Sequence, residues 1–253
     1  MVPVRLAVAY GGLCLAQAAA VSLPGRPLSL PSALRGRAWA LVLPGVLVAF
    51  VIGLSVDPSF ATRLAELAAV TPALALLSPL VAERRYRVFV AAIALVAVVL
   101  GLWLEDGVPG EAARVIAIAC ACAVLATLLA GVAPTPALRV GLVVLVVLDV
   151  ILVASGGVAT TSNALHQVGS PAGLPSFQDA TLGPAIMGYG DLFGAAVLGA
   201  ILTSEGRSRG RAAAAVLVTA LGFGLLLTVF STLPATVPLL AGLVVGGQDR
   251  RSM

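Results

Sequence analysis

Two carboxylates stand out because of where they lie. Asp149 interrupts the apolar run Leu142-Val143-Val144-Leu145-Val146-Val147-Leu148-Asp149-Val150-Ile151-Leu152-Val153, and Asp191 follows Met187-Gly188-Tyr189-Gly190 inside another. An ionised Asp at a bilayer centre costs about 2.5–3.5 kcal/mol on insertion scales, so a chain keeps such residues for use. Two carboxylates held close together in a low-dielectric setting cannot both ionise, so one keeps its proton while the other is a base. That division of labour suits hydrolysis of a peptide bond. The ionised Asp takes a proton from water, the water attacks the carbonyl, and the protonated Asp donates to the carbonyl oxygen and then helps the amine leave. Such a pair titrates with shared apparent pKa values.

The elements that would hold the pair follow from composition. The chain has 253 residues, is 60% hydrophobic and 10% charged, and has a mean hydropathy of +1.10, which excludes an ordinary soluble domain. It reads as an all-α polytopic membrane protein with a single membrane domain, 1–253. Since one crossing takes roughly 20 apolar residues, the length suits about nine transmembrane helices. Arg, Pro and Gly punctuation places them near 4–23, 38–56, 63–82, 87–104, 113–132, 137–155, 184–203, 212–231 and 234–246. Residues 1–133 then hold spans one to five, and 134–253 hold spans six to nine with a flexible loop, 155–183, rich in Gly, Ser, Thr and Pro. Glu66, Pro72 and Pro79 predict a kinked third span, and the ninth is short. Asp149 falls near the end of span six and Asp191 near the start of span seven. The spans are antiparallel and joined by one loop, so both carboxylates lie roughly 10 Å below the same face at 1.5 Å per residue.

All 15 basic residues are Arg, concentrated in short turns. Of these, 12 fall in alternate connections (Arg26, Arg35, Arg37; Arg84, Arg85, Arg87; Arg139; Arg207, Arg209, Arg211; Arg250, Arg251) and only Arg5, Arg63 and Arg114 in the others. The positive-inside rule then places the N-terminus outside and the C-terminus in the cytoplasm of an integral, multi-pass protein. The first span is expected to be a retained helix, not a cleaved signal, despite Ala-Gln-Ala-Ala-Ala at 16–20. The net charge of +4 reflects orientation, with membrane lipid and not nucleic acid as its partner. Arg84, Arg85, Arg87, Arg207, Arg209 and Arg211 read as anchors for anionic headgroups. Cys14, Cys120 and Cys122 read as small core residues, His166 and Asp179 as loop residues, and Glu105, Asp106 and Glu111 as hydrated charges of a turn. No metal or cofactor is expected from these spacings.

Glycine and proline surround the candidate pair. Gly188 and Gly190 weaken a helix just before Asp191, and Gly190 with Gly194 forms a small-xxx-small pattern that admits another helix or a substrate backbone. Leu233-Pro234-Ala235-Thr236-Val237-Pro238 opens the last span with two prolines. Pro234 either starts a helix or, with Pro238, leaves backbone groups free to hold an extended substrate by strand addition.

These residues resemble the presenilin and signal peptide peptidase family of intramembrane aspartyl proteases. The likeness rests on Leu148-Asp149 in span six, the Gly-x-Gly-Asp motif Gly188-Tyr189-Gly190-Asp191 in span seven, and a Pro-Ala-Leu-like element, Pro234-Ala235-Thr236, before span nine. It covers about the last 120 residues. The chain departs from the family in having Leu148 where an aromatic residue is usual, Tyr189 at the variable position, and Thr236 in place of Leu. The resemblance implies a presenilin-like fold, catalytic Asp149 and Asp191, and substrate contacts from Gly188, Tyr189, Gly190, Pro234, Ala235 and Thr236. It also implies transmembrane-segment substrates of signal-peptide or type II orientation. Prepilin peptidases share the Gly-x-Gly-Asp motif but lack the last element. A proton- or cation-coupled transporter using the same two aspartates, and a catalytically inactive homologue, are the alternatives.

Overall fold

A computed structural model describes residues 4–248 except 26, 29–30, 58, 105–106, 157–174, 229 and 231. Arg26, Glu105, Asp106, His166, Arg250 and Arg251 therefore lie outside the described residues. In chain order the helices are α1 (Val4–Ser22), α2 (Val42–Val56), α3 (Ser59–Ala68), α4 (Thr71–Leu76), α5 (Ser78–Val81), α6 (Arg87–Trp103), α7 (Val108–Val132) and α8 (Thr135–Ala154). A two-stranded hairpin, β1 (Asp179–Leu182) and β2 (Ala185–Gly188), leads into α9 (Tyr189–Ser204), α10 (Arg209–Gly224) and α11 (Val237–Gly247). Among the described residues, six helical stretches are long and apolar enough to cross a membrane. The protein is a membrane-embedded helical bundle.

The remaining apolar runs differ from full-length crossings in instructive ways. The third breaks into α3, α4 and α5, with Pro72 and Pro79 in the first turns of α4 and α5. A proline has no N–H for the preceding turn, so each new helix starts there. Helix α9 has 16 residues and α11 only 11, the latter about 17 Å long. Residues 185–188, expected as the start of a helical span, form β2 instead. The preceding loop is likewise not irregular to its end, since 179–182 form β1.

The hairpin is antiparallel, with Asp179 opposite Gly188 and Leu182 opposite Ala185. Gly183 takes φ 53° at the turn, a conformation that glycine adopts without the Cβ penalty of other residues. Ala180, Ala185 and Met187 are buried, while Ile186 on the other face is half exposed. The Glu111 carboxylate at the start of α7 accepts a 2.6 Å hydrogen bond from the Gly183 N–H. The hydrated turn charge expected at Glu111 is thus a tether for the hairpin.

Helix α9 is the centre of the bundle, with Leu192 and every residue from Gly194 to Leu202 buried. It packs mainly on α7 and α1, then on α8 and α11. Lipid tails are as apolar as leucine, so such a core is held by close packing of small residues more than by escape from water. The Ala-rich α7 and the Gly/Ala-rich α9 fit that requirement. A Cβ at Gly199 would lie 2.1 Å from the Val21 carbonyl oxygen, so only glycine lets the end of α1 lie against α9. Cys14, Cys120 and Cys122 are buried free thiols within this core. Around it, α2 and α6 expose Ile52, Val88, Phe89, Leu95 and Trp103.

At the end of the bundle opposite the hairpin, Glu205 accepts from Arg139 and pairs with Arg207 at 3.0 Å. Arg209 joins Glu83 and donates to the carbonyls of Ser22 and Pro24. Arg207 and Arg209, expected as headgroup anchors, are thus half-buried clamps between helix ends. Removing one member of a fully buried ion pair strands the other, a loss of about 3–5 kcal/mol, and a half-buried pair falls below that. Exposed pairs contribute at most about 1 kcal/mol. Glu205→Ala is therefore expected to lower the thermal inactivation temperature in detergent far more than Arg85→Ala, which removes the exposed Arg85–Glu83 contact and the stacking of Arg85 on the exposed Tyr86 ring.

Candidate aspartate site

Helix α8 begins after Pro134 and carries Asp149 just over one turn before its end at Ala154. Helix α9 begins after Gly188 and carries Asp191 in its first turn. The two helices pack together in antiparallel sequence order, which brings both residues to the hairpin end of the bundle. There the Asp191 carboxylate lies within reach of the charge on Asp149, and both residues are half-buried.

Each carboxylate is held by one oxygen. Asp149 Oδ2 accepts from Thr236 Oγ1 at 2.6 Å and from the Thr236 backbone N–H at 3.3 Å. Asp191 Oδ2 accepts from the Gly188 N–H at 3.0 Å. The latter is the backward arm of a capping box, in which an acidic side chain at the third helical position satisfies the N–H of the capping residue. Asp191 therefore starts its own helix as well as facing Asp149. The Oδ1 atoms of both residues have no hydrogen-bond partner among the described residues.

The three glycines expected to shape the site have separate tasks. Gly188 is the capping residue, in extended conformation, and not a weak point within a helix. A Cβ there would sit 3.1 Å from Asp191 Oδ2, so a side chain would press on the carboxylate. Gly190 is exposed, and a Cβ on it would meet nothing within 4 Å, which leaves open space one residue from Asp191. Gly194 is buried, with Leu239 of α11 at 3.1 Å and Leu145 of α8 at 3.3 Å from the position a Cβ would take. The small-xxx-small pattern thus divides into one open position and one packing position. Tyr189 is half-buried beside Thr71 and Cys122.

The proline element differs from both expectations. Pro234 lies before the helix, and Pro238 occupies the first turn of α11. Its backbone carbonyls are also engaged: Pro234 O accepts from Val237 N–H at 3.3 Å and Thr236 O from Leu239 N–H at 2.9 Å. Ala235 O accepts from Gln17 Nε2 of α1 at 2.7 Å. These carbonyls do not offer a free edge for strand addition. Half-buried Ala235 and buried Thr236 instead form the turn from which Thr236 reaches Asp149.

No family model, no curated protein and no solved structure matches this chain.

The roles of two residues do not follow from the sequence patterns above: Glu111 reads there as a hydrated turn charge, and Gln17 falls within Ala-Gln-Ala-Ala-Ala, although it is the one amide side chain of the first span. The different surroundings of the glycines have a measurable consequence. Gly190→Ala is expected to leave thermal stability unchanged or to raise it by up to about 1 kcal/mol through helix propensity. Gly194→Ala must displace Leu239 and Leu145 and is expected to lower stability. Denaturation curves of the two variants in one detergent make the comparison.

Proposed function

We propose that this chain is an intramembrane aspartyl endopeptidase of the presenilin and signal peptide peptidase type, cutting transmembrane segments with an Asp149/Asp191 dyad. The observation that carries the reading is the meeting of two carboxylates from facing helices, each with one oxygen held and one left open. The dyad shares one proton. Its ionised member draws a proton from water, the oxygen of that water bonds to the scissile carbonyl carbon, and the protonated member donates to the carbonyl oxygen. Collapse of the tetrahedral intermediate breaks the C–N bond, with the proton delivered to the departing amine.

The hairpin supports the same reading. A helical substrate hides its scissile peptide, whereas an extended one exposes it, and among the described residues each strand of the two-stranded sheet has an unpaired edge. Strand β2 runs directly into Gly188-Tyr189-Gly190-Asp191, so a segment added along its edge is led to the carboxylates, past the open space at Gly190. Thr236, in place of the Leu usual in the family, supplies a hydroxyl to Asp149. In the membrane the chain crosses nine times, counting α3–α5 as one broken crossing and the short α9 and α11 as partial ones. The Arg distribution orients its N-terminus outward and its C-terminus to the cytoplasm, which matches substrates of type II or signal-peptide orientation.

The test is cleavage of a tagged type II single-span substrate in liposomes, read by mass spectrometry. The native chain is expected to cut within the span, and Asp149→Asn and Asp191→Asn each to abolish the products. The rate is expected to be bell-shaped in pH, since one proton on the dyad is required. Intact substrates with all three proteins, together with a proton flux that the Asn changes alter, would replace the protease reading with transport.

A further inference from the structure

Gln17 is fully buried in α1, with its amide nitrogen on the Ala235 carbonyl, 218 residues away in sequence. An amide placed among apolar side chains is unfavourable unless its hydrogen bonds are made. Here one is made, and Gln17 Oε1 is buried with no partner among the described residues. The bond to Ala235 therefore sets the orientation of the side chain, since a reversed amide would set oxygen against oxygen.

Pro238 explains why that carbonyl is available. In a tight turn Ala235 O would accept from the N–H three residues on, but residue 238 is proline and has none. The N–H four residues on belongs to Leu239, which bonds Thr236 O instead. Ala235 O is thus left without a partner in its own turn, and Gln17 supplies one. The next residue is Thr236, whose N–H and hydroxyl both bond Asp149 Oδ2.

We infer that Gln17 is a positioning residue of the aspartate site, acting through the Ala235–Thr236 turn to hold Asp149 in place. The first span is thereby part of the site's machinery as well as of the packing. The structural statement, that the Asp149 environment depends on Gln17, stands apart from any reaction. Its consequence for catalysis rests on the protease reading.

The experiment uses the full-length protein in detergent or liposomes. Infrared difference spectra of the Asp149 carboxyl group, assigned by the bands lost in D149N, are recorded for the native chain and for Q17M, T236V, the Q17M/T236V double variant and Y10F. Methionine keeps the length of Gln17 and removes its donor. Y10F removes another hydrogen bond from α1 to a distant carbonyl, Tyr10 hydroxyl to Ala220 O at 3.0 Å, two turns along the helix. It therefore serves as the control for general loosening. Q17M is expected to shift the Asp149 bands in the same direction as T236V, the double variant to shift them no further than T236V alone, and Y10F to leave them in place.

In the cleavage assay Q17M is expected to lower kcat by about 10- to 100-fold, the scale of a misplaced reacting group, with KM unchanged. Asp149 bands that stay at their native position in Q17M, or that move equally in Y10F, would overturn the assignment. Bands that shift as expected in a protein that cleaves nothing would uphold Gln17 as the positioning residue while removing the protease reading.

Discussion

A carboxylate half-buried in a bundle of aliphatic side chains is poorly hydrated, and each gains hydrogen bonds from the protein. Much of the described architecture around Asp149 and Asp191 answers that requirement. Asp191 obtains a backbone N–H by sitting in the first turn of α9, which is possible because the chain arrives there as a strand and turns at Gly188. Asp149 lies within a helix whose own N–H groups are engaged along the axis, so its donors come from another segment, the turn before α11. That turn in turn depends on α1 for its remaining carbonyl. Directed bonds thus join α8 to the turn before α11 and that turn to α1, while Asp191 fixes the start of α9 beside them.

The two ends of the bundle are built differently. At the hairpin end three acidic side chains hold backbone: Glu111 the Gly183 N–H, Asp191 the Gly188 N–H, and Asp149 the N–H of Thr236 together with its hydroxyl. At the other end long arginines join Glu83 and Glu205 and reach the last carbonyls of α1. Long cationic side chains span gaps between helix ends and keep their heads near the water interface. Short acidic side chains hold backbone in place at closer range, which fixes where the two carboxylates lie.

Much of this was legible in the sequence, for identifiable reasons. Apolar runs and their arginine borders located most helices, and Pro72 and Pro79 marked the breaks in the third run because proline cannot donate a helical hydrogen bond. The nearness of Asp149 and Asp191 followed from their similar distances to one connecting loop. The hairpin did not show itself, since Ala185-Ile186-Met187 is a short apolar run for which periodicity cannot separate strand from helix. The capping role of Asp191 was concealed because its partner is the N–H of a glycine, while the usual motif begins with Ser or Thr. Thr236 was read as a departure from a family pattern, although its hydroxyl is the closest donor to Asp149. The bond from Gln17 to Ala235 joins opposite ends of the chain, and no local pattern encodes it.

The central claim is that Asp149 and Asp191 act together on one substrate carbonyl. The most direct measurement is calorimetric binding of a peptide in which the scissile amide is replaced by a hydroxyl-bearing, non-cleavable isostere, a mimic of the tetrahedral intermediate. The account predicts binding to the native protein that is lost in both Asp149→Asn and Asp191→Asn, with no more loss in the double variant than in either single one, because the hydroxyl needs both carboxyls. Binding that survives each substitution, or that falls independently and additively in the two, would contradict a shared site.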